Sequence, residues 1–281
     1  MKLPILDNHI HLQPGGKNVQ AVMEFQRMGG THLILSHLPY SEVTISEGRD
    51  FERSYEITVN LAERCRRETG VVIYVVVGPY PVLLLDLVQR FGLERAKEIM
   101  MEGIDIAARF VEEGRAVGLG EIGRPHFPVP TEIWEASNDI LIYGMSVARE
   151  KDCAVVLHAE HSTPENMKEF AEMADSVGLR RERVVKHYSS PLVLPEENHG
   201  IFPSILASRS AIREALRKGN RFLMETDFLD HPERPGAVMS PVTVPKRTMA
   251  FLRTGLLGEE DVWKIHSENP GRVYGVEFTV D

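Results

Sequence analysis

Val71-Val72-Ile73-Tyr74-Val75-Val76-Val77 is an unbroken run of apolar and aromatic residues in which only Tyr74 is not β-branched. The run is too short for an ordinary helix and rich in side chains that favour strands, so it reads as a strand buried on both faces. The stretches on either side, Glu47–Gly70 and Leu84–Gly114, read as helices, and each stops at a Gly that can take the left-handed cap. A buried strand between two helices belongs to a βαβ unit, and such units build parallel sheets.

The alternation continues outward in both directions. Leu3–Leu12, His32–Ser36, Ala116–Ile122, Ala154–His158, Arg183–His187, Gly200–Ile205 and Arg221–Asp227 read as the other strands, with helices over Val19–Gly29, Thr131–Asp152, Pro164–Val177 and Ser208–Gly219. Eight units in 281 residues average about 35 each, which suits a TIM-type (β/α)8 barrel, an α/β fold with residues 1–281 as a single domain. Gly200–Ile205 is the weak strand. Pro203 lies inside it, and proline is rare in central strands, so a seven-stranded or distorted barrel stays open as an alternative.

A hydrophobic fraction of 43% with 26% charged residues excludes wholesale disorder and coiled-coil character. The 32 Lys and Arg against 41 Asp and Glu give a net charge of −9, which argues against a general grip on phosphate backbones, although a local cationic site can still hold a phosphate. Cys65 and Cys153 stand far apart and read as buried free thiols, neither a disulfide framework nor a metal site. Pro4 and Asp7 interrupt the apolar start and no 18-residue apolar run follows, so neither a secretion signal nor a membrane span is expected, and the cytoplasm is the expected compartment.

The reactive residue types gather at strand ends. Asp7-Asn8-His9-Ile10-His11 closes the first strand, and alternation along a strand puts His9 and His11 on one side, where both imidazoles can reach one ion. Taken alone, the pair reads equally well as two histidines with ordinary hydrogen bonds. Glu121, His158, His187 and Asp227, however, finish four further strands. His158 follows Glu121 by 37 residues and His187 follows His158 by 29, each a single βα step, while the 40 residues to Asp227 must also hold the compact seventh strand. Barrel enzymes keep their active sites at the C-terminal strand ends, so this pattern points to a metal centre. Imidazole and carboxylate suit zinc, manganese, magnesium or iron, and an open position leaves room for a water whose pKa the ion lowers.

The ordered set Asp7-Asn8-His9-Ile10-His11, Gly120-Glu121-Ile122-Gly123, His158, His187, Glu225-Thr226-Asp227 and Asn269-Pro270-Gly271-Arg272-Val273-Tyr274 resembles the motifs of the TatD-like metal-dependent hydrolases of the amidohydrolase superfamily. The resemblance spans most of the chain. It implies two divalent ions (zinc, manganese or magnesium), with His9, His11 and Asp227 on one, His158 and His187 on the other, and Glu121 bridging them. Asp227 would then receive the proton of the attacking water as general base, with Glu160, His161 and His231 as substitutes. Asp7 and Glu225, two residues before His9 and Asp227, should point into the barrel below the ions, either orienting ligand imidazoles or forming a buried polar layer.

The chain departs from that family around the mouth. Arg124-Pro125-His126 replaces an apolar residue and an Asp, Glu160 and His161 stand where an Arg is usual, and Tyr188-Ser189-Ser190 replaces aromatic-Ser-Gly. Arg124, His126, His161 and Arg234 are therefore the candidate substrate-binding residues, and the segment Phe228–Val244 is a candidate lid. Lys186 alternates away from His187, and His32, His37, His199 and His266 have no assigned role in the chemistry.

Three functions compete. The first is hydrolysis of a phosphoester, in a small molecule or a nucleic acid, of the deoxyribonuclease or phosphoesterase kind. The second keeps the metals and cleaves a cyclic amide, lactone or amine. The third is a barrel that binds metal without catalysis. No membrane partner is expected, and the oligomeric state is left open.

Overall fold

Eight apolar runs form parallel strands, and the chain between them winds back as helix. The computed structural model describes residues 3–231, 233–235 and 238–280. In order, the first half contains β1 (Leu6–His11), α1 (Val19–Arg27), β2 (His32–Ser36), α2 (Asp50–Thr69), β3 (Val72–Val77), α3 (Leu83–Phe91), α4 (Leu93–Glu112), β4 (Gly118–Gly123) and α5 (Thr131–Glu150). The second half contains β5 (Ala154–His158), α6 (Pro164–Val177), β6 (Val184–Ser189), α7 (Pro195–Asn198), β7 (Phe202–Leu206), α8 (Arg209–Lys218), β8 (Leu223–Glu225), β9 (Phe228–His231), β10 (Arg234–Pro235), α9 (Thr243–Arg253), α10 (Glu259–Trp263) and α11 (Asn269–Tyr274).

Neighbours in sequence pair in parallel from β1 through β8. The ring closes through strand eight, which serves twice. Its first part, β8, pairs with β7. After a turn at Thr226 and Asp227 the chain resumes as β9, which pairs with β1 through Ile10 opposite Phe228 and His11 opposite Leu229. The first part of the expected lid is thus barrel wall, because Phe228 and Leu229 complete the ladder beside β1, and β10 folds back on β9 as a short antiparallel hairpin. Pro203 does lie inside β7, opposite Lys186, and the β6–β7 ladder shifts register between Lys186 and Ser189. Such an irregularity accommodates a residue that has no N–H to give.

Side chains alternate between two cores. Leu6, Ile34, Val76, Val156, Val185 and Leu223 meet inside the barrel, where Val273, Tyr274 and Phe278 of the C-terminal segment join them. The opposite strand faces pack under the helices, as Leu33 and Val75 do against Tyr55 and Phe110. A single helix is expected over Leu84–Gly114, but two form, because Gly92 takes φ 80° between them. Cys65 and Cys153 are buried free thiols. Among the described residues no helix is long and apolar enough to cross a membrane.

Candidate metal centre

Five strands deliver their polar ends to one place. On β1, His9 Nε2 and His11 Nε2 lie 3.1 Å apart. On β4, Glu121 Oε1 lies 2.7 Å from His9 Nε2 and 3.2 Å from His187 Nε2, while its Oε2 faces His158 Nδ1 at 3.4 Å. Asp227 Oδ1 is 3.4 Å from His11 Nε2. The ligand atoms of His9, His11 and Asp227 form one group compact enough to hold an ion, and those of Glu121, His158 and His187 form a second. His9, His187 and Glu225 make a third such grouping, which shares its histidines with the other two.

The local backbone is built for this convergence. Gly123 ends β4 with φ 143°, and a Cβ there would sit 2.0 Å from the carbonyl oxygen of His158, so only glycine lets the two strand ends approach. Asp227 takes φ 48°, a left-handed conformation of the kind held at functional sites by surrounding structure. Here that structure is its own N–H on the His9 carbonyl at 3.0 Å, together with the preceding residue, Thr226, whose N–H and Oγ1 both donate to Asp7 at 3.0 and 2.6 Å.

Each imidazole is held through its other nitrogen, the arrangement that fixes metal-ligand rings. His9 Nδ1 meets Ser36 Oγ at 3.1 Å, His11 Nδ1 meets the Ser36 carbonyl at 3.0 Å, His187 Nδ1 faces Glu225 at 3.3 Å, and His158 Nε2 faces His126 Nδ1 at 2.9 Å. Glu225 is held in turn by the Tyr188 N–H at 2.7 Å and the Ser204 hydroxyl. Burial opposes a charged imidazole at His9, yet the bond to Glu121 and the nearby Glu225 and Asp227 outweigh it and raise His9 to about 9. Burial also opposes ionisation of Glu121, but His187 and His158 keep its carboxylate well below the usual range. Carboxylate and imidazole around a point where positive charge is favoured form a donor set that fits a divalent cation.

Above this group opens a cavity of about 480 Å³, whose walls include Leu38, Tyr80, His126, His161, Tyr188 and Leu229. His126 and His161 lie at the mouth as expected, although His126 also braces His158, and His161 Nε2 meets Ser190 Oγ at 3.0 Å. Arg124 does not line the mouth. It is 0% exposed and packs on Trp134 and Phe170, with its guanidinium on Glu160 and Glu169. The turn that begins at Gly123 and bonds the Arg124 N–H to the His158 carbonyl is where the chain leaves the cavity. Of the two roles left open for Glu225 and Asp7, Glu225 faces the His187 ring, whereas Asp7 braces the Thr226 turn instead of an imidazole. The Arg234 side chain lies outside the described residues, and β10 places its backbone opposite His231.

Ser36 and Tyr80 are the residues that sequence reasoning passed over. Ser36 ends β2, so the strand-end rule that found the histidines would also have found it. Tyr80 follows β3 in the same way and meets the His158 ring edge-on with centroids 4.9 Å apart. His37 and His266 are buried in polar contacts of the frame, with Thr58 and with Leu6 and Thr248.

Solved structures share the architecture. A phosphotriesterase homology protein from Escherichia coli superposes with a TM-score of 0.64 at 14% identity, covering 98% of this chain and 99% of that one. A variant of organophosphorus hydrolase from Deinococcus radiodurans gives 0.63 at 16% identity over 98% and 94% of the two chains. A TatD homologue from Escherichia coli K12 gives 0.58 at 17% identity over 98% and 100%. In sequence, an uncharacterized protein of Methanocaldococcus jannaschii is 41% identical over 279 residues, covering 98% of this chain and 97% of its own length. Residues 6–275, from the first barrel strand to the end of the last helix, match the family model described as TatD related DNase, and the chain belongs to that family.

Proposed function

We propose that the chain is a metal-dependent hydrolase that cleaves a phosphoester with two divalent ions, held by His9, His11 and Asp227 on one side and His158 and His187 on the other. The observation that carries this reading is the placement of Glu121 between the two histidine groups, with Oε1 beside His9 of one and His187 of the other and Oε2 facing His158. Bound there, divalent ions supply Lewis acidity, lowering the pKa of a water toward neutrality and polarising a phosphoryl oxygen.

The chain's own residues do the rest. Asp227, 15% exposed at the cavity floor, orients the attacking water and accepts its proton at the carboxylate. Ser36, Glu225 and His126 keep the rings aimed. Tyr80 and His161 line the space that a phosphoester of a small molecule, or the end of a nucleic-acid strand, would occupy.

A panel assay tests the reading. Small phosphodiesters and single-stranded DNA are offered with zinc, manganese or magnesium, and metal-dependent cleavage of at least one is the expected result; none with any metal would refute it. A second reading, cleavage of a lactone or cyclic amide by the same centre, is favoured by Leu38, Ala159, Leu229 and Val238 in the cavity wall and by the absence of Lys and Arg among its described residues. The same panel with those substrates separates the two.

A further inference from the structure

Away from the metal centre, α8 and α9 bound a groove of about 710 Å³ that includes Arg209, Lys246, Arg247 and Arg253 and, among its described residues, no Asp or Glu. Arg209, Lys246 and Arg253 are exposed, as is Arg213 one turn beyond Arg209. No carboxylate among the described residues pairs with any of these five cations, whereas Lys218 on the same helix sits on Glu197 and Glu214. Most cations elsewhere are matched in the same way, as Arg95, Arg115, Arg181 and Lys264 are. Half-buried Arg247 gives its Nε to the Ala207 carbonyl at 3.0 Å. Burial and then Arg209 and Arg213 make the charged form of Arg247 less favourable, so repulsion is built into the surface.

A chain of net charge −9 that leaves five cations together without counter-charges has a surface suited to an anion from outside. Lys246 and Arg253 stand seven residues apart on α9, roughly 10 Å along its axis, so one ligand that meets both must carry several charges spread over that length. The upper end of the groove belongs to the catalytic face. α8 and α9 start at the barrel end where β7 and β8 finish, and Val238, just before Ser240 and Val242 of the groove, lines the catalytic cavity.

From these observations we infer that the α8–α9 groove is a second binding site, separate from the metals, for a phosphate-rich polyanion such as a nucleic-acid strand or a chain of inorganic phosphate. The recognised unit is the row of phosphates, met by Arg209, Arg213, Lys246, Arg247 and Arg253 as point charges and forks. The inference stands apart from the hydrolysis reading, because binding in the groove uses none of the metal-centre residues.

The test compares the protein with the K246E/R253E variant, in EDTA so that no strand is cut. The probes are a fluorescent single-stranded oligonucleotide and inorganic polyphosphate, at 50 to 200 mM salt. The expected result is binding by the parent protein and at least tenfold weaker binding by the variant. The slope of log affinity against log salt should shrink by about 1.4, or 0.7 for each phosphate of the single strand that is no longer neutralised. Weakened binding of both probes, or of either alone, upholds the site and names its source. Unchanged affinity and slope would overturn it, as would anionic lipid vesicles or a second copy of the chain proving to be what the variant no longer binds. Should the double reversal fail to fold, R209A/K246A reads the same quantities. Cleavage of small substrates should be equal in both proteins, so failure of the groove and failure of the hydrolase reading are told apart.

Discussion

Asp227 combines two tasks at a single residue, facing His11 and serving as the proposed base. Asp227→Asn keeps the size and the backbone turn, so the fold and the ion at His158 and His187 should persist while turnover falls about 10²-fold or more. Metal content measured beside the rate checks it, and full turnover with both ions in place would move the role to another group. Glu121→Ala should disturb both ions, since the carboxylate touches histidines of both groups, whereas His187→Ala should release one; equal losses would contradict the bridge. Arg124 gives a different expectation. Its replacement by Met strands Glu160 and Glu169 and removes the stack on Trp134 and Phe170, but both acids reach solvent, so a cost of about 2–4 kcal/mol is expected with little change in KM. Urea unfolding and substrate titration measure the two. The ligand types and their strand-end positions were legible because five of the eight apolar runs stop at one of them. The inward turn of Arg124 was not, because it follows from the backbone at Gly123 and from partners up to 45 residues away.

At the scale of elements, the strands and their order could be read from apolar runs and Gly stops, and α6 has the bounds that its pattern predicts. The segments after Thr243 could not. There α9, α10, a π-helical turn at Lys264–Glu268 and α11 follow one another without the long amphipathic period that marks α2 or α5. His266, inside that turn, fastens it to β1 by accepting the Leu6 N–H at 3.1 Å and meeting Thr248 Oγ1 at 3.0 Å. Burial lowers His266 from 6.5 to about 4. Above pH 6.5 the ring is neutral in both folded and unfolded chains and its contribution is complete; between 6.5 and 4 only the unfolded chain takes up the proton, so stability falls as the pH drops. At pH 5 that loss amounts to about 2 kcal/mol. His266→Gln should remove that part of the pH dependence, read as the difference between denaturation curves at pH 7 and pH 5.

At the scale of the whole molecule, the barrel was readable because eight units of similar length leave few other arrangements. Its seam was not, since nothing in Glu225-Thr226-Asp227 announces that one strand will serve two neighbours. Each ion that binds only the closed barrel should raise its stability by about 2.7 kcal/mol at a hundredfold excess over Kd, and chelation should lower the melting temperature accordingly, which calorimetry with and without EDTA would show. The seam has a further consequence during synthesis. His9 and His11 emerge from the ribosome first and wait for Asp227, more than two hundred residues later, before their pocket exists. A growing chain therefore carries the first ligand group without its carboxylate, and the proposed two-ion site is complete only after about four-fifths of the protein has been made.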